Sequence, residues 1–351
     1  MKSDEFISRI VGNRYLEGRQ QENVTNLLCL SGDFCRDAGV LQRNAEHISE
    51  ETIVLESGHQ PNFLPYPGVW KKAFLLDRIT KYMIEQGHAA VAFFGFADQN
   101  LSTASLLTAN HIPAFKKGGN EKIGFGIREK DRWRCFNEVP KPDIDEWQAE
   151  MGKIAGHYLS SAKQARVDLI ETERRIDTIF EMLWQSYERA CNFSDANAFF
   201  FAKISAEIFD LDVRFFRYSD LQRKGIFADE IGMLLEHREA YFKYYNAVIT
   251  EKSLNISPIR NDHIPLWYRC PCGGKIGLAI GKEDQWQGTC PACGNAITLE
   301  SSDEFPVHKA HCDQIDLTAV ARNIVFAEGL GTSVFFSGAG GGLQYGQIAT
   351  R

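Results

Sequence analysis

Four cysteines packed into 24 residues, Cys270 and Cys272 in CPCGG and Cys290 and Cys293 in CPACG, constrain the folding of this chain more than any other feature. Seventeen residues with a hairpin-like pattern separate the two knuckles, which is the spacing of a zinc ribbon. Thiolate sulfurs suit a tetrahedral Zn²⁺, and the glycine after each pair lets backbone amides turn toward sulfur. Four such ligands fill the coordination sphere, so the expected zinc is structural. The other five cysteines, Cys29, Cys35, Cys135, Cys191 and Cys312, are scattered, and the total of nine is odd. That distribution fits metal binding in a reducing compartment better than a disulfide framework. His308, His311 and Cys312 in VHKAHC offer a substitute ligand or a second site, with surface or core packing as the plainer reading.

At 351 residues the chain has length for about two folding units. A charged fraction of 24% and a hydrophobic fraction of 44% exclude a disordered chain. The net charge of -7 excludes a global positive field that would draw the protein to nucleic acid or an anionic membrane. The longest apolar run, Ala89 to Ala97, is short of the roughly 18 residues of a spanning helix. The start MKSDEF lacks a signal peptide's apolar core, so the expected address is the cytoplasm with no membrane partner.

From Thr52 the pattern becomes specific. TIVLES reads as a buried strand, GHQPNFLPYPG as a loop, VWKKAFLLDRITKYMIEQG as a helix and AAVAFFGFAD as a second buried strand. This is the βαβ unit of a parallel sheet. A helical stretch from Asp143 to Ala190 follows, then a helix with Ser194 as candidate cap, the short strand LDVRFF, and a helix from Asp229 to Thr250 whose Tyr and Phe residues read as core. After the cysteines come the helix LTAVARNIVFAEGL, the strand TSVFF and the loop SGAGGGLQYG.

Ligands of open α/β sheets bind at the carboxyl ends of the strands. There the first loop carries Gly58, His59, Gln60 and Asn62, held rigid by three prolines, with Lys71 or Lys72 at the helix start; these groups suit a phosphate or carboxylate. The second loop carries Asp98, Gln99 and Asn100, where Asp98 either orients a ligand or caps the turn near Ser102 and Thr103. The third carries Gly338, Gly340, Gly341, Gly342 and Tyr345, whose backbone amides suit an anion. It is neither a dinucleotide fingerprint, since Leu343 stands where the third glycine belongs, nor a Walker loop, since it has no lysine.

Together, SGHQPNFLPYPGVWKKAFLLD, FGFADQN and ARNIVFAEGLGTSVFFSGAGGGLQYGQ resemble the order of elements in the bacillithiol-biosynthesis cysteine-adding (BshC-like) enzymes. These have a Gly-Gln-Gln loop after an early strand, an acidic strand end and a late Gly-rich segment ending in tyrosine. Gly58, His59 and Gln60 stand at the loop, Asp98 at the acidic position and Gly338 to Tyr345 at the late segment. Separately, HQPNFLPY resembles the opening motif of the WbqC-like family, associated with sugar modification. The first resemblance implies a nucleotidylyltransferase-like Rossmann core and ligation of an amino acid to an amine-bearing, sugar-like acceptor. His59 replaces the first glutamine, and the chain ends six residues after Tyr345, as in a fragment or a shortened relative without the C-terminal coiled coil.

The expected fold is therefore α/β, a Rossmann-like parallel sheet with a helical insertion and a small zinc ribbon. Residues 1–50 form a helical extension, 51–142 the first part of the core, 143–261 a mainly helical region, 262–302 the ribbon and 303–351 the return to the core. The expected function is an amide-forming ligase or transferase on a small, sugar-like acceptor. His59 and Asp98 are its catalytic candidates, and ATP or ADP the candidate nucleotide. The alternative is a non-catalytic ribbon that binds nucleic acid or a protein; Lys275 and Lys282 serve it, while Glu283, Asp284 and Glu300 oppose it. No motif fixes an oligomeric state.

Overall fold

A computed structural model describes residues 10, 15–41, 47–104, 106–282, 285–301, 306–338 and 341–350. Helix α1 (Gly18–Ala38) opens on a reciprocal capping box between Glu17 and Gln20 and ends on Gly39. Strands β1 (Ile53–His59) and β2 (Ala90–Phe96) flank α2 (Pro67–Glu85), and pair in parallel from Ile53 opposite Ala90 to His59 opposite Phe96. Pro67 supplies the preset first-turn backbone of α2, which ends before Gly87 as expected. Strands β3 (Ala109–Pro113) and β4 (Asn120–Gly124) form a separate antiparallel pair.

The expected helical stretch after Asp143 is two helices, α3 (Ile144–Ala165) and α4 (Leu169–Arg189), divided at Arg166 and each capped by an aspartate, Asp143 and Asp168. Helix α5 (Phe193–Glu207) is capped not by Ser194, which is buried, but by Asn192, whose side chain accepts from the Asp195 N–H at 2.8 Å. Strand β5 (Arg214–Arg217) leads directly into α6 (Tyr218–Lys224). The helix expected from Asp229 to Thr250 is interrupted at His237, giving α7 (Ala228–Glu236) and α8 (Arg238–Lys252).

The cysteine region then supplies β6 (His263–Arg269), β7 (Lys275–Ile280), β8 (Trp286–Thr289) and β9 (Ala296–Leu299). The chain closes with α9 (Val307–Ala310), β10 (Ile315–Leu317), α10 (Ala319–Leu330), β11 (Val334–Phe336) and α11 (Gly341–Ala349). The parallel sheet has the order β11-β1-β2-β5, so the βαβ pair expected from the sequence is extended by the late strand β11, which pairs in parallel with β1 on its other edge.

Alternate residues of this sheet enter two cores. Leu55, Ala92, Phe94, Phe96 and Phe215 join α2 and the Phe-rich α5 on one side. Val54, Val91, Phe93 and Phe216 join α10 on the other. Burial of both faces explains why β2 reads as an unbroken apolar run. The second core also takes Ile264, Leu266, Ile276, Leu278 and Trp286 of the antiparallel sheet β10-β6-β7-β8-β9. The ribbon is thus built into the main core, its own sheet extended by the late strand β10. Each fully buried aliphatic or aromatic side chain there contributes roughly 1.5–3 kcal/mol.

Candidate functional site

At the carboxyl ends of β1 and β11 lies a cleft of about 520 Å³. Nine of the sequence-predicted site candidates line it: Gly58, His59, Gln60, Asn62, Lys72, Asn100, Gly338, Gly342 and Tyr345. The segment expected to be a glycine loop is instead helical from Gly341, so Gly342 and Tyr345 reach the cleft from the first turns of α11, while Gly340 lies outside the described residues.

His59 is half-buried at the end of β1, and its Nδ1 lies 2.9 Å from the Gln60 carbonyl oxygen. A carbonyl only accepts, so Nδ1 carries the proton and Nε2 keeps its lone pair. Burial, reinforced by the Lys72 charge, lowers the imidazole to about 4, and the ring is neutral at ordinary pH. Lys72 donates to the Gly58 carbonyl at 2.8 Å, and burial lowers it to about 8. Lys71 is exposed and outside the cleft lining, so the lysine that serves the cleft is its neighbour.

Asn62 is 2% exposed, and among the described residues neither its Nδ2 nor its Oδ1 has a hydrogen-bond partner. A buried amide left unpaired costs about 1–3 kcal/mol, and few are found in folded proteins. Gln60 Oε1 accepts from Asn100 Nδ2 at 3.2 Å, tying the first loop to the second. Gly58 stands opposite Gly95 in the sheet, and a Cβ at Gly58 would come within 2.1 Å of the Tyr218 hydroxyl. The missing side chain is what lets Tyr218 lie against the strands and line the cleft. Arg322 stacks over the Tyr218 ring at 4.5 Å from its centroid.

The structure separates Asp98 from this group. It is 1% exposed and absent from the cleft lining. Its Oδ1 accepts from the Ser219 N–H at 3.1 Å, and its Oδ2 from the Ser219 hydroxyl and from Asn137 Nδ2 at 3.3 Å. Burial raises it to about 6, against these hydrogen bonds. Asp98 is thus the anchor of α6, not of the turn near Ser102 and Thr103, and the catalytic expectation for it finds no support in its position. Beneath the cleft floor Glu56 is fully buried; burial raises it to about 8, its Oε2 accepts from Thr332 at 3.1 Å, and its Oε1 has no partner among the described residues.

No known protein-family model matches the chain, and no curated protein sequence matches it. Sequence reading missed Tyr218, Arg322, Asn323 and Ser337, all of which line the cleft. Only Ser337, adjoining the glycine loop, had a local signal.

The four cysteine sulfurs lie within 4.8 Å of one another, with Cys270 and Cys293 at 3.8 Å and Cys272 and Cys290 at 3.6 Å. A tetrahedral ion with about 2.3 Å bonds to sulfur sets its ligands about 3.8 Å apart, so the cluster fits a metal such as zinc. Gly274 makes room: a Cβ there would sit 2.5 Å from the Cys290 sulfur. Among the described residues this is the one such group of His, Cys, Asp and Glu. His308 packs near Gly232 and His311 edge-on to Tyr268, in keeping with the plainer reading of both.

The first knuckle is stitched to the cleft wall. Arg134 Nε donates to the Cys272 carbonyl at 2.9 Å, and the Cys135 N–H to the Gly273 carbonyl at 2.9 Å. Lys275 Nζ donates to the Gln99 carbonyl at 2.6 Å, and the Phe136 N–H to the Asn100 carbonyl at 2.8 Å. No helix among the described residues is long and apolar enough to cross a membrane.

Proposed function

We propose that the cleft is the active site of an amide-forming ligase or transferase on a Rossmann-like core, binding a phosphorylated ligand of the ATP or ADP class. The single observation that carries this reading is the unpartnered, buried amide of Asn62 beside a cationic Lys72 and a neutral His59. Lys72 and the backbone amides of Gly338 and Gly342, which line the cleft, suit a phosphate. An acceptor amine would attack an acyl phosphate made from ATP. Its lone pair forms the C–N bond, the C–O bond to phosphate breaks with its electron pair leaving on phosphate, and the amine's proton passes to His59 Nε2. Zinc is the proposed metal of the four cysteines, in a bracing role. The resemblance to the bacillithiol enzymes points the same way, toward a sugar-like acceptor. A nucleic-acid role for the ribbon is less favoured, because its first knuckle is engaged inside the molecule.

Asn62→Leu separates ligand binding from support of the fold. Replacing an unpaired amide by an apolar group of similar shape raises the melting temperature. The same change weakens ATP or ADP, measured by calorimetry, by at least about tenfold, roughly 1.4 kcal/mol. A variant that melts lower and binds nucleotide unchanged overturns the reading. His59→Ala leaves binding nearly intact and lowers amide formation by a similar or larger factor.

The pH dependence follows from Lys72. At about 8 in the free protein, it is a cation below that pH and neutral above it. Affinity for ADP should hold near pH 7 and decline as pH rises through 8, and Lys72→Met should bind weakly and remove the decline. Calorimetry across pH 6.5 to 9.5 checks both points.

A further inference from the structure

We infer that the cleft continues into a second compartment that seats the ring of a ring-bearing phosphate, with Arg322 holding the charged group where the two compartments meet. This rests on the reading of the first compartment as a phosphate site. A cavity of about 480 Å³ adjoins the first and shares Asn100, Arg322 and Tyr345 with it. Its walls differ from those of the first: Tyr241, Tyr245, Trp267 and Ile259 replace the His59 loop and the glycines.

Two observations point to a ligand there. The guanidinium of Arg322 makes no hydrogen bond or ion pair among the described residues. It stacks on Tyr218, and its charge also acts on the buried carboxyl groups of Glu56 and Asp316, but neither of these takes a hydrogen bond from it, so its in-plane donors can serve an anion. Trp267 has the Lys275 ammonium over one face, 5.3 Å from the ring centroid, and lines the second compartment. Aromatic faces and edges beside a cation at the mouth suit a planar base or the C–H face of a sugar carrying a phosphate. The shared chemistry is a ring bearing a phosphate ester, and the source is settled by competing the two.

The test titrates the full-length protein with inorganic phosphate, AMP and glucose 6-phosphate by calorimetry. At least one ring-bearing phosphate should bind ten times or more tighter than inorganic phosphate, and whichever does so names the source as nucleoside or sugar. Arg322→Gln should weaken all phosphates that bind by at least tenfold. Ala104→Phe, in a turn that lines the second compartment, should remove the ring's advantage while leaving inorganic phosphate unchanged; Trp267→Leu provides the same test by loss of the wall. The inference is overturned if the ring gives no advantage, or if it survives both Ala104→Phe and Trp267→Leu. Inorganic phosphate that responds to Lys72→Met but not to Arg322→Gln overturns this inference alone. Phosphates indifferent to Lys72→Met overturn the first compartment's reading, and this one with it.

Discussion

A chelator that strips a metal from the four-cysteine site should lower the melting temperature by about 5 °C and weaken nucleotide binding in the proposed cleft. Structural zinc sites of small domains contribute on the order of 10 kcal/mol to folding, but here much of the ribbon's apolar surface is held by the shared core. A loss of about 4 kcal/mol is therefore the expected scale, spread over the large unfolding entropy of a chain this long. Binding falls because the first knuckle holds the backbone of residues 99 and 134–135, which frame Asn100. Elemental analysis of protein purified without added metal should give about one zinc per chain, and Cys290→Ser should reproduce the chelator's effect. Protein that keeps its melting temperature in chelator would remove the structural metal from the account.

The second large effect belongs to Glu56. In the folded protein it holds its proton up to about pH 8, whereas an unfolded glutamate releases it near 4.3. Its folded pKa is raised, so its stabilising contribution is complete below pH 4.3 and is lost as pH rises toward 8. The loss is about 1.4 kcal/mol per pH unit within that window, or about 3 kcal/mol between pH 5 and pH 7. Glu56→Gln keeps the shape and the acceptor for Thr332 without an ionisable proton. Denaturant unfolding from pH 5 to 8 should show a clear decline for the natural protein and a flatter profile for the variant, which is the more stable of the two at pH 8. Parallel profiles would mean that Glu56 does not titrate in this window.

The same burial that perturbs Glu56 decided what the sequence could tell. Strands buried on both faces carry continuous apolar runs, so β1, β2 and the helix between them were legible, as was a rigid polar loop at the end of β1. Cysteine spacing disclosed the four-cysteine cluster for a similar reason: tetrahedral geometry needs close ligands, and knuckles write that closeness into local sequence. The choice between Lys71 and Lys72 was not legible, because adjacent helical residues point about 100° apart and only the packed phase of α2 separates them. Tyr218 and Arg322 reach the cleft through tertiary contacts alone. Asp98 misled for the complementary reason: its partner Ser219 is 121 positions away, and no local pattern records that bond.

The position of β1 between β2 and β11 has a consequence during synthesis. Ser57 and its partner Phe336 are 279 positions apart, so one edge of β1 has no mate while the intervening chain is made. At 5–20 residues per second the ribosome takes roughly 15–55 s over that interval. Throughout, an apolar strand with open backbone donors and acceptors waits at the rim of a half-finished sheet, the arrangement most prone to pair with the wrong chain. Nascent chains of this protein should therefore depend on holding chaperones, and their soluble yield should suffer more from crowded, rapid expression than the finished molecule's stability would lead one to expect.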